Sequence, residues 1–401
     1  KRIFIMLAAI FLSTIANSAN RPNIIIILTD DQGYADLGVH GLVNDIYTPN
    51  LDKLALSGVL CTSGYITAPQ CSPSRAGLLT GQYQQRFGID AIEDTPLTLE
   101  AKTIAEVLKP YGYTTGMVGK WHLDPSFSSR EWLKQNPEAI VHDVDNFLGR
   151  TISEEVRLKY SPARQGFDEF YQNIPWWAHE GRWANYKADG SSLNSEGEWL
   201  METTGDRLDD ETAGALAFIN RNHDKPFFLY LAYSGPHTPL EAMDEGVGKM
   251  LKLLNEYGIE ENTLIFFTSD NGAPEKMTKP DAQIEPGPDS PNPYNTGGWD
   301  GSLNDPHLGE KGMLTDGGIR VPFLVSWKGT LPSGLIYNHP VISLDIAPTI
   351  FAAAGIPEQE NLDGKNLLPY LTGEKSSEPH KALYWRFWDQ AAIRSGQWKL
   401  I

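Results

Sequence analysis

Five places in the chain carry residues able to do chemistry. In the first, Cys71-Ser72-Pro73-Ser74-Arg75, a cysteine stands just ahead of a serine and a proline. Those two types open helices: Ser72 suits the N-cap and Pro73 the first helical position. That reading sets the side chain of position 71 at the positive end of a helix, where free N–H groups and the dipole favour an anion or an attacking oxyanion. Arg75, one turn on, adds a fixed planar charge. Taken alone, a cysteine there also fits a buried or disulfide-bonded residue. The second place is Asp30-Asp31, adjacent carboxylates that repel and so are either solvated loop residues or half of a cation site. Lys120 with His122, then His237, then Asp270-Asn271 complete the five.

Four of these places follow apolar runs. Asn23–Thr29 is a continuous β-branched run, the pattern of a strand buried on both faces, and it ends at Asp30. Tyr113–His122 reads as a short strand closing on Lys120 and His122, which alternation points the same way. Pro226–Tyr233 stops just before His237, and Thr263–Ser269 delivers Asp270 and Asn271. In open α/β sheets ligands bind outside the carboxyl ends of the strands, so these groups are expected to converge. Three aspartates and an asparagine form an all-oxygen, anionic set that suits Ca²⁺ or Mg²⁺ rather than zinc. No paired-cysteine or His-x-x-x-His spacing competes with it.

Between the strands, helices are expected at Thr48–Ala55, Ile104–Leu108, Asp209–Asn222, Val247–Tyr257 and Ile346–Ala354. The fold class is therefore α/β, a large mixed, mostly parallel sheet flanked by helices. Residues 124–164 lack a period and read as an insertion over the sheet edge, and 273–306 as a long rim loop. Trp176, Trp177, His179, Arg182 and Trp183 crowd one segment, as a platform for a sugar sulfate or as tryptophans packed under a loop. Phe323–Trp327 reads as a further strand. Tyr384–Arg386 and Ile393–Leu400 read as strands of a smaller C-terminal sheet.

With 401 residues and 41% hydrophobic content there is room for one large domain and an appendage. A formal charge of −18 argues against nucleic acid or an anionic membrane surface as partner. Lys1-Arg2, an apolar run Ile3–Leu12 and small residues to Ala19 have the layout of a secretory signal peptide, so an exported protein, periplasmic or secreted, is expected. Export permits disulfides, and Cys61 and Cys71, the two cysteines, would pair by arithmetic.

The whole string Cys71-Ser72-Pro73-Ser74-Arg75-Ala76-Gly77-Leu78-Leu79-Thr80-Gly81 resembles the signature of the formylglycine-dependent sulfatases of the alkaline phosphatase superfamily. Further segments are similar in order: Arg21-Pro22-Asn23-Ile24, the Asp30-Asp31 pair, Gly119-Lys120-Trp121-His122, Gly235-Pro236-His237-Thr238-Pro239-Leu240, Ser269-Asp270-Asn271-Gly272 and Gly317-Gly318-Ile319-Arg320-Val321-Pro322. The resemblance, which extends to bacterial polysaccharide sulfatases, implies a catalytic domain over residues 20–365 and a partial C-terminal subdomain over 366–401. It also implies that a maturation enzyme oxidises Cys71 to formylglycine, whose hydrate is the nucleophile. Asp30, Asp31, Asp270 and Asn271, with modified Cys71, would be the ligands of Ca²⁺ (or Mg²⁺), and Arg75 would steady the hydrate. Lys120 and Lys311 would draw charge from the sulfate oxygens, His237 would protonate the leaving oxygen, and His122 would take the proton whose loss expels sulfate. Cys61 is then left without a disulfide partner, a small buried residue on a strand Gly58–Thr62.

Two departures from the family pattern stand out. Leu240 runs straight into Glu241-Ala242-Met243-Asp244 where relatives have an intervening loop, and the chain stops at Trp398-Lys399-Leu400-Ile401 inside an expected strand. Residues are expected to be missing at the first, and the C-terminal subdomain to be truncated at the second. The resulting expectation is an exported sulfatase acting on a sulfated glycan, with a carrageenan-like galactan as substrate. A phosphate mono- or diester hydrolase of the same superfamily is the rival among enzymes. A non-catalytic binder of sulfated glycans is the rival outside them, and the joint retention of Cys71, Arg75, Lys120, His122, His237 and Lys311 argues against it.

Overall fold

The seven residues of β1 (Asn23–Thr29) are all buried, and the rest of the molecule is layered on them. Ile24, Ile26 and Leu28 enter one apolar layer while Ile25 and Ile27 enter the other, so the strand needs cover on both faces. Each fully buried isoleucine is worth about 1.5–3 kcal/mol over an exposed one, which offsets much of the entropy lost in ordering the strand. The structure, a computed structural model, describes residues 21–44, 46–142, 150–171, 207–235, 240–274 and 303–401. The expected leader over 1–19, the set Trp176, Trp177, His179, Arg182 and Trp183, and His237 lie outside these residues.

In chain order the strands that follow are β2 (Val59–Cys61), β3 (Gly64–Tyr65), β4 (Thr114–Gly119), β5 (Ile140–His142), β6 (Arg150–Ile152), β7 (Glu169–Tyr171), β8 (Phe227–Ala232) and β9 (Thr263–Ser269). After them come β10 (Phe323–Ser326), β11 (Leu335–Tyr337), β12 (Val341–Ile342), β13 (Leu383–Phe387), β14 (Gln390–Ser395) and β15 (Trp398–Leu400). The large sheet has the order β11-β2-β10-β9-β1-β8-β4-β7. Within it β10 runs antiparallel to both its neighbours, β2 and β9, and the other pairings are parallel. The helices Cys71–Thr80, Ile104–Leu108 and Ile346–Ala353 pack on the face that takes Ile24 and Ile26. Pro49–Leu56, Arg207–Asn222 and Leu240–Glu256 pack on the other. The expected α/β architecture is the observed one.

Register is what matters for function. Leu28 of β1 pairs with Thr268 of β9 and with Ala232 of β8, and Ala232 pairs with Gly119 of β4. Four adjacent parallel strands therefore end level, and the residues that follow them leave the sheet at one edge.

Elements differ from the sequence reading in instructive ways. Residues 124–164, expected to be irregular, hold the helices Arg130–Gln135 and Glu154–Lys159 and the antiparallel pair β5–β6. These pieces are three to six residues long, too short for a period to show. The helix expected from Val247 begins seven residues earlier, at Leu240. The run Ile393–Leu400 is broken into β14 and β15 by Gly396, whose φ of +56° makes the hairpin turn.

The small antiparallel sheet β13-β14-β15 buries Leu383, Trp385, Phe387 and Ala392 against Tyr65, Ile66, Leu314, Ile319 and Val321. Trp385 also donates Nε1–H to the Ile66 carbonyl at 2.7 Å. Cys61 and Cys71 are free thiols, so the pairing that arithmetic suggests is not made; Cys61 is a buried residue of β2. Among the described residues no helix is long and apolar enough to cross a membrane.

Candidate active site

The helix that carries Cys71 starts one turn-fraction earlier than its sequence suggests. Its N-cap is Gln70, in extended conformation and without a side-chain cap, and Cys71 is the first helical residue. Ser72 and Pro73 are thus its second and third residues rather than cap and first. Proline is tolerated there because the first four N–H groups of a helix have no intrahelical acceptor. Ser74 N–H makes the opening bond, to the Gln70 carbonyl at 3.1 Å. The expected consequence survives: Cys71 sits at the positive end of the helix, 1% exposed.

Around its sulfur the strand ends converge. Sγ lies 3.5 Å from Asp30 Oδ1 and 3.9 Å from Asp31 Oδ1. Lys311 Nζ approaches Sγ at 3.4 Å and pairs with both oxygens of Asp31 at 2.7 and 2.8 Å. Lys120 Nζ does the same for Asp30, at 2.8 and 2.6 Å. Arg75, fully buried, reaches Asp270 Oδ2 through Nε and Nη2 and donates Nη1–H to the Lys120 carbonyl at 2.6 Å. Asn271 donates Nδ2–H to Asp31 Oδ1 at 2.5 Å. Three carboxylates and three cations are thereby packed into one buried knot, with His122 beside it.

Backbone geometry at the knot is unusual. Asp31 and His122 have φ of +62° and +58°, the left-handed region that side chains other than glycine and asparagine seldom enter. Gly119, at φ +98°, ends β4 where a Cβ would stand 2.0 Å from the Ala232 carbonyl oxygen. Lys120 N–H then bonds that same oxygen at 2.8 Å. Strand alternation therefore does not govern Lys120 and His122, since both lie past the strand and the second is turned by its own backbone.

The electrostatics follow from burial and neighbours. Burial would raise Asp30, but Lys120, Arg75 and Lys311 together hold its carboxyl well below the usual range. Burial wins at Asp270, lifting it to about 6 against the pull of Arg75, with the nearby carboxylates adding to the rise. Lys311 is held well above its ordinary value by Cys71, Asp31 and Asp30 in spite of burial. Burial, with Lys120 and Arg75 next in effect, drops His122 well below the usual imidazole range, so it is neutral at pH 7. Burial and Asp270 push the Cys71 thiol up to about 12. The thiolate, not the thiol, is the nucleophile and metal ligand, and burial disfavours that form here.

Donor atoms of Asp30, Asp31, Cys71 and Asp270 all lie within 4.8 Å of one another, and all four residues are buried. Beside them the Asn271 Oδ1 is buried without a hydrogen-bond partner. An amide oxygen buried without a donor leaves lone pairs uncompensated, and an oxygen-preferring divalent cation is what such a set lacks. These residues fit a hard cation.

The structure thus brings together Asp30, Asp31, Cys71, Arg75, Lys120, His122, Asp270, Asn271 and Lys311. It also recruits residues that the sequence reading passed over. Tyr230 lies buried in β8 with its phenol close to Arg75, pushed up to about 12 chiefly by burial. Ser269 accepts from Gln32 N–H at 2.9 Å and donates to the Asn271 carbonyl at 2.8 Å, tying the two acidic loops together. A tyrosine inside Phe227–Tyr233 and a serine closing β9, polar groups in otherwise apolar runs, were the available signals.

Comparison with known proteins identifies the family. A model described as "Sulfatase" matches residues 22–243 and 239–356. The uncharacterized sulfatase YdeN of Escherichia coli (strain K12) is 31% identical over 432 aligned positions, covering 94% of this chain and 70% of that protein. N-acetylgalactosamine-6-sulfatase of Mus musculus is 30% identical, covering 100% and 75%. Among solved structures, Ps i-CgsB in complex with k-i-k-neocarrahexaose superposes with a TM-score of 0.68 at 30% identity, covering 94% of this chain and 83% of that one.

Proposed function

Because this chain belongs to the sulfatase family and is a sulfuric ester hydrolase, we propose that it removes sulfate from a sulfated oligosaccharide or polysaccharide, a carrageenan-like galactan in the first instance, using formylglycine made from Cys71 and a bound Ca²⁺. The observation that carries this reading is the buried knot of Asp30, Asp31 and Asp270 around Cys71, with the unpartnered side-chain Oδ1 of Asn271 beside it and Lys120 and Lys311 flanking it. The sugar is suggested by the neocarrahexaose held by the similar Ps i-CgsB.

Charge supports the reading. Asp30, Asp31 and Asp270 are offset by Arg75, Lys120 and Lys311. A divalent cation would leave the set at net +2, which one sulfate ester and one ionised hydroxyl balance. When bound, Ca²⁺ would supply Lewis acidity to acidify a nucleophilic hydroxyl and polarise the ester. Formylglycine, hydrated, would supply that hydroxyl together with a route back to the aldehyde, which a thiol held near pKa 12 does not offer.

The chain's own residues do the rest. Asp30, Asp31, Asp270 and Asn271 hold the cation, and Arg75, locked by Asp270 and the Lys120 carbonyl, fixes the position next to residue 71. Lys311, 3.4 Å from the Cys71 sulfur, and Lys120, paired with Asp30, present ammonium groups that stabilise the charge growing on the sulfate oxygens. His122, neutral, accepts a proton. His237, which follows β8, protonates the leaving oxygen in this assignment. Residues 1–19 direct export to the periplasm or beyond, where the polymer is met.

The test pairs peptide mass spectrometry at position 71 with sulfate release from a panel of galactans and host glycans, run beside an aryl sulfate and an aryl phosphate. Formylglycine at 71 and a preference for sulfate are expected. An unmodified cysteine in fully active protein would sink the mechanism, and release from another glycan alone would sink the substrate.

A further inference from the structure

We infer that the ion pair between Lys399 and Asp316 positions Lys311 and Asn271, making the C-terminal sheet a working part of the catalytic site. This rests on the sulfatase reading. Lys311 belongs to no helix or strand, so its place is set by what its loop leans on. Its own N–H bonds the Ala273 carbonyl at 3.0 Å, and the next N–H, of Gly312, bonds Pro69 at 2.9 Å. Beneath the loop lies the short helix Asp316–Ile319, and the contact is backbone on backbone.

A Cβ on Gly317 would stand 2.0 Å from the Gly309 carbonyl oxygen, and one on Gly318 would stand 2.1 Å from that of Met313 and 2.4 Å from that of Glu310. On the other side, Gly272 donates its N–H to Gly318 at 3.0 Å, and a Cβ there would meet the Gly317 carbonyl oxygen at 1.8 Å. Backbone meets backbone at these contacts, and the Asn304 side chain ties the two flanking segments together, bonding Ala273 at 2.8 and 2.9 Å and the Gly309 carbonyl at 3.1 Å. Any displacement of residues 316–318 therefore passes directly to Lys311 on one side and to Asn271 on the other.

What anchors that helix is its first residue. Asp316 Oδ1 accepts from Lys399 Nζ of β15 at 2.7 Å, while Oδ2 accepts from Tyr65 at 3.1 Å and from Arg320 at 3.4 Å. Arg320 is committed elsewhere, donating Nε–H and Nη2–H to the Thr62 carbonyl at 3.0 and 2.5 Å. Lys399 is 15% exposed along its side chain and lies over the rings of Tyr65 and Trp385, a setting in which a charge pair is little screened. The same sheet adds two supporting contacts: Arg394 of β14 donates to the Tyr65 hydroxyl, and Gln390 to the Gly312 carbonyl at 3.4 Å. Lys399 is thus a positioning residue, acting on the site through Asp316.

The test is a double-mutant cycle on the matured full chain with an aryl sulfate, using Lys399→Met, Lys311→Ala and the pair. Lys399→Met should lower kcat/KM by about 10- to 100-fold, and Lys399→Arg should restore most of it. In the Lys311→Ala background the loss from Lys399→Met should shrink to less than about 3-fold, because the two act as a unit. Equal losses in both backgrounds, or no loss, overturn the inference. Hydrogen exchange gives an independent arm: Lys399→Met should speed exchange at the Gly272 and Gly312 amides while β1, β8 and β9 keep their protection. Unchanged exchange at those amides overturns the inference whatever the activity, whereas a wild type that releases no sulfate overturns only the functional reading. Should Lys399→Met fail to fold, Asp316→Asn enters the cycle and the exchange measurement in its place.

Discussion

Arg75 closes two nitrogens on a single oxygen of Asp270, Nε at 2.8 Å and Nη2 at 2.7 Å from Oδ2, with both side chains wholly shielded from water. The other oxygen, Oδ1, accepts from the Asp31 N–H at 3.1 Å. Removing the guanidinium leaves a buried carboxylate beside two others. Arg75→Met should cost about 3–5 kcal/mol in urea unfolding, and Arg75→Met with Asp270→Asn should cost less than the sum of the two. Additive losses would mean that the pair is not what stabilises this corner.

Cys71 makes few demands on the fold beyond its size. Cys71→Ala should melt within a few degrees of wild type, since only a small buried group is lost, yet release no detectable sulfate from an aryl ester. Residual turnover near the wild-type rate would show that another group is the nucleophile.

Cation removal should weaken the protein without unfolding it. Lys120 and Lys311 already pair Asp30 and Asp31, so the knot is not left as bare repelling charge. Chelation should lower Tm, and Ca²⁺ at about 100 times its Kd should return roughly 2.7 kcal/mol. Asn271→Ala should shift the Ca²⁺ titration to about 10- to 100-fold higher concentration. A melting curve indifferent to chelator and Ca²⁺ alike would count against the site.

His122 sets a pH dependence with a definite sign. Its folded-state pKa lies well below the ordinary 6.5. Below pH 6.5 the unfolded chain therefore binds a proton that the folded chain refuses, and stability falls as pH drops from there through the folded value. Wild type should thus lose stability between neutrality and mild acid, and His122→Gln should lose less over the same range. Parallel pH profiles for the two proteins would contradict the buried, neutral imidazole.

Gly119→Ala tests the turn that delivers Lys120. A methyl group there meets the Ala232 oxygen, and φ is +98°. The substitution should cost about 1–3 kcal/mol, and activity should fall further than stability explains, because Lys120 N–H bonds the same oxygen. Activity that tracks the stability loss alone would assign the glycine a purely structural role.

The strands that build the site were readable because each is a run of apolar residues stopped by charge. β1 and β9 have the boundaries their composition marks, ending at Asp30 and Asp270. Their common edge followed from a general rule of parallel sheets. Less was readable where the cause is long-range. The direction of β10 leaves no trace in Phe323–Ser326, since a buried strand looks alike either way. The start of the helix at Cys71 was displaced because nothing at Gln70 resembles a cap. Lys311 had no signal of its own beyond the family resemblance, since the contacts that place it come from Pro69 and Ala273. Nor do Asp31 and His122 advertise their left-handed backbones.

The level ends of β9, β1, β8 and β4 carry a meaning for descent. The chain departs from one edge after each of these strands, so an excursion can be lengthened, trimmed or exchanged there while the spacing between Asp30, Lys120 and Asp270, fixed by the hydrogen-bonded strands, is left untouched. Selection can in this way redraw the walls around the scissile bond without disturbing the strand ends that space Asp30, Lys120 and Asp270.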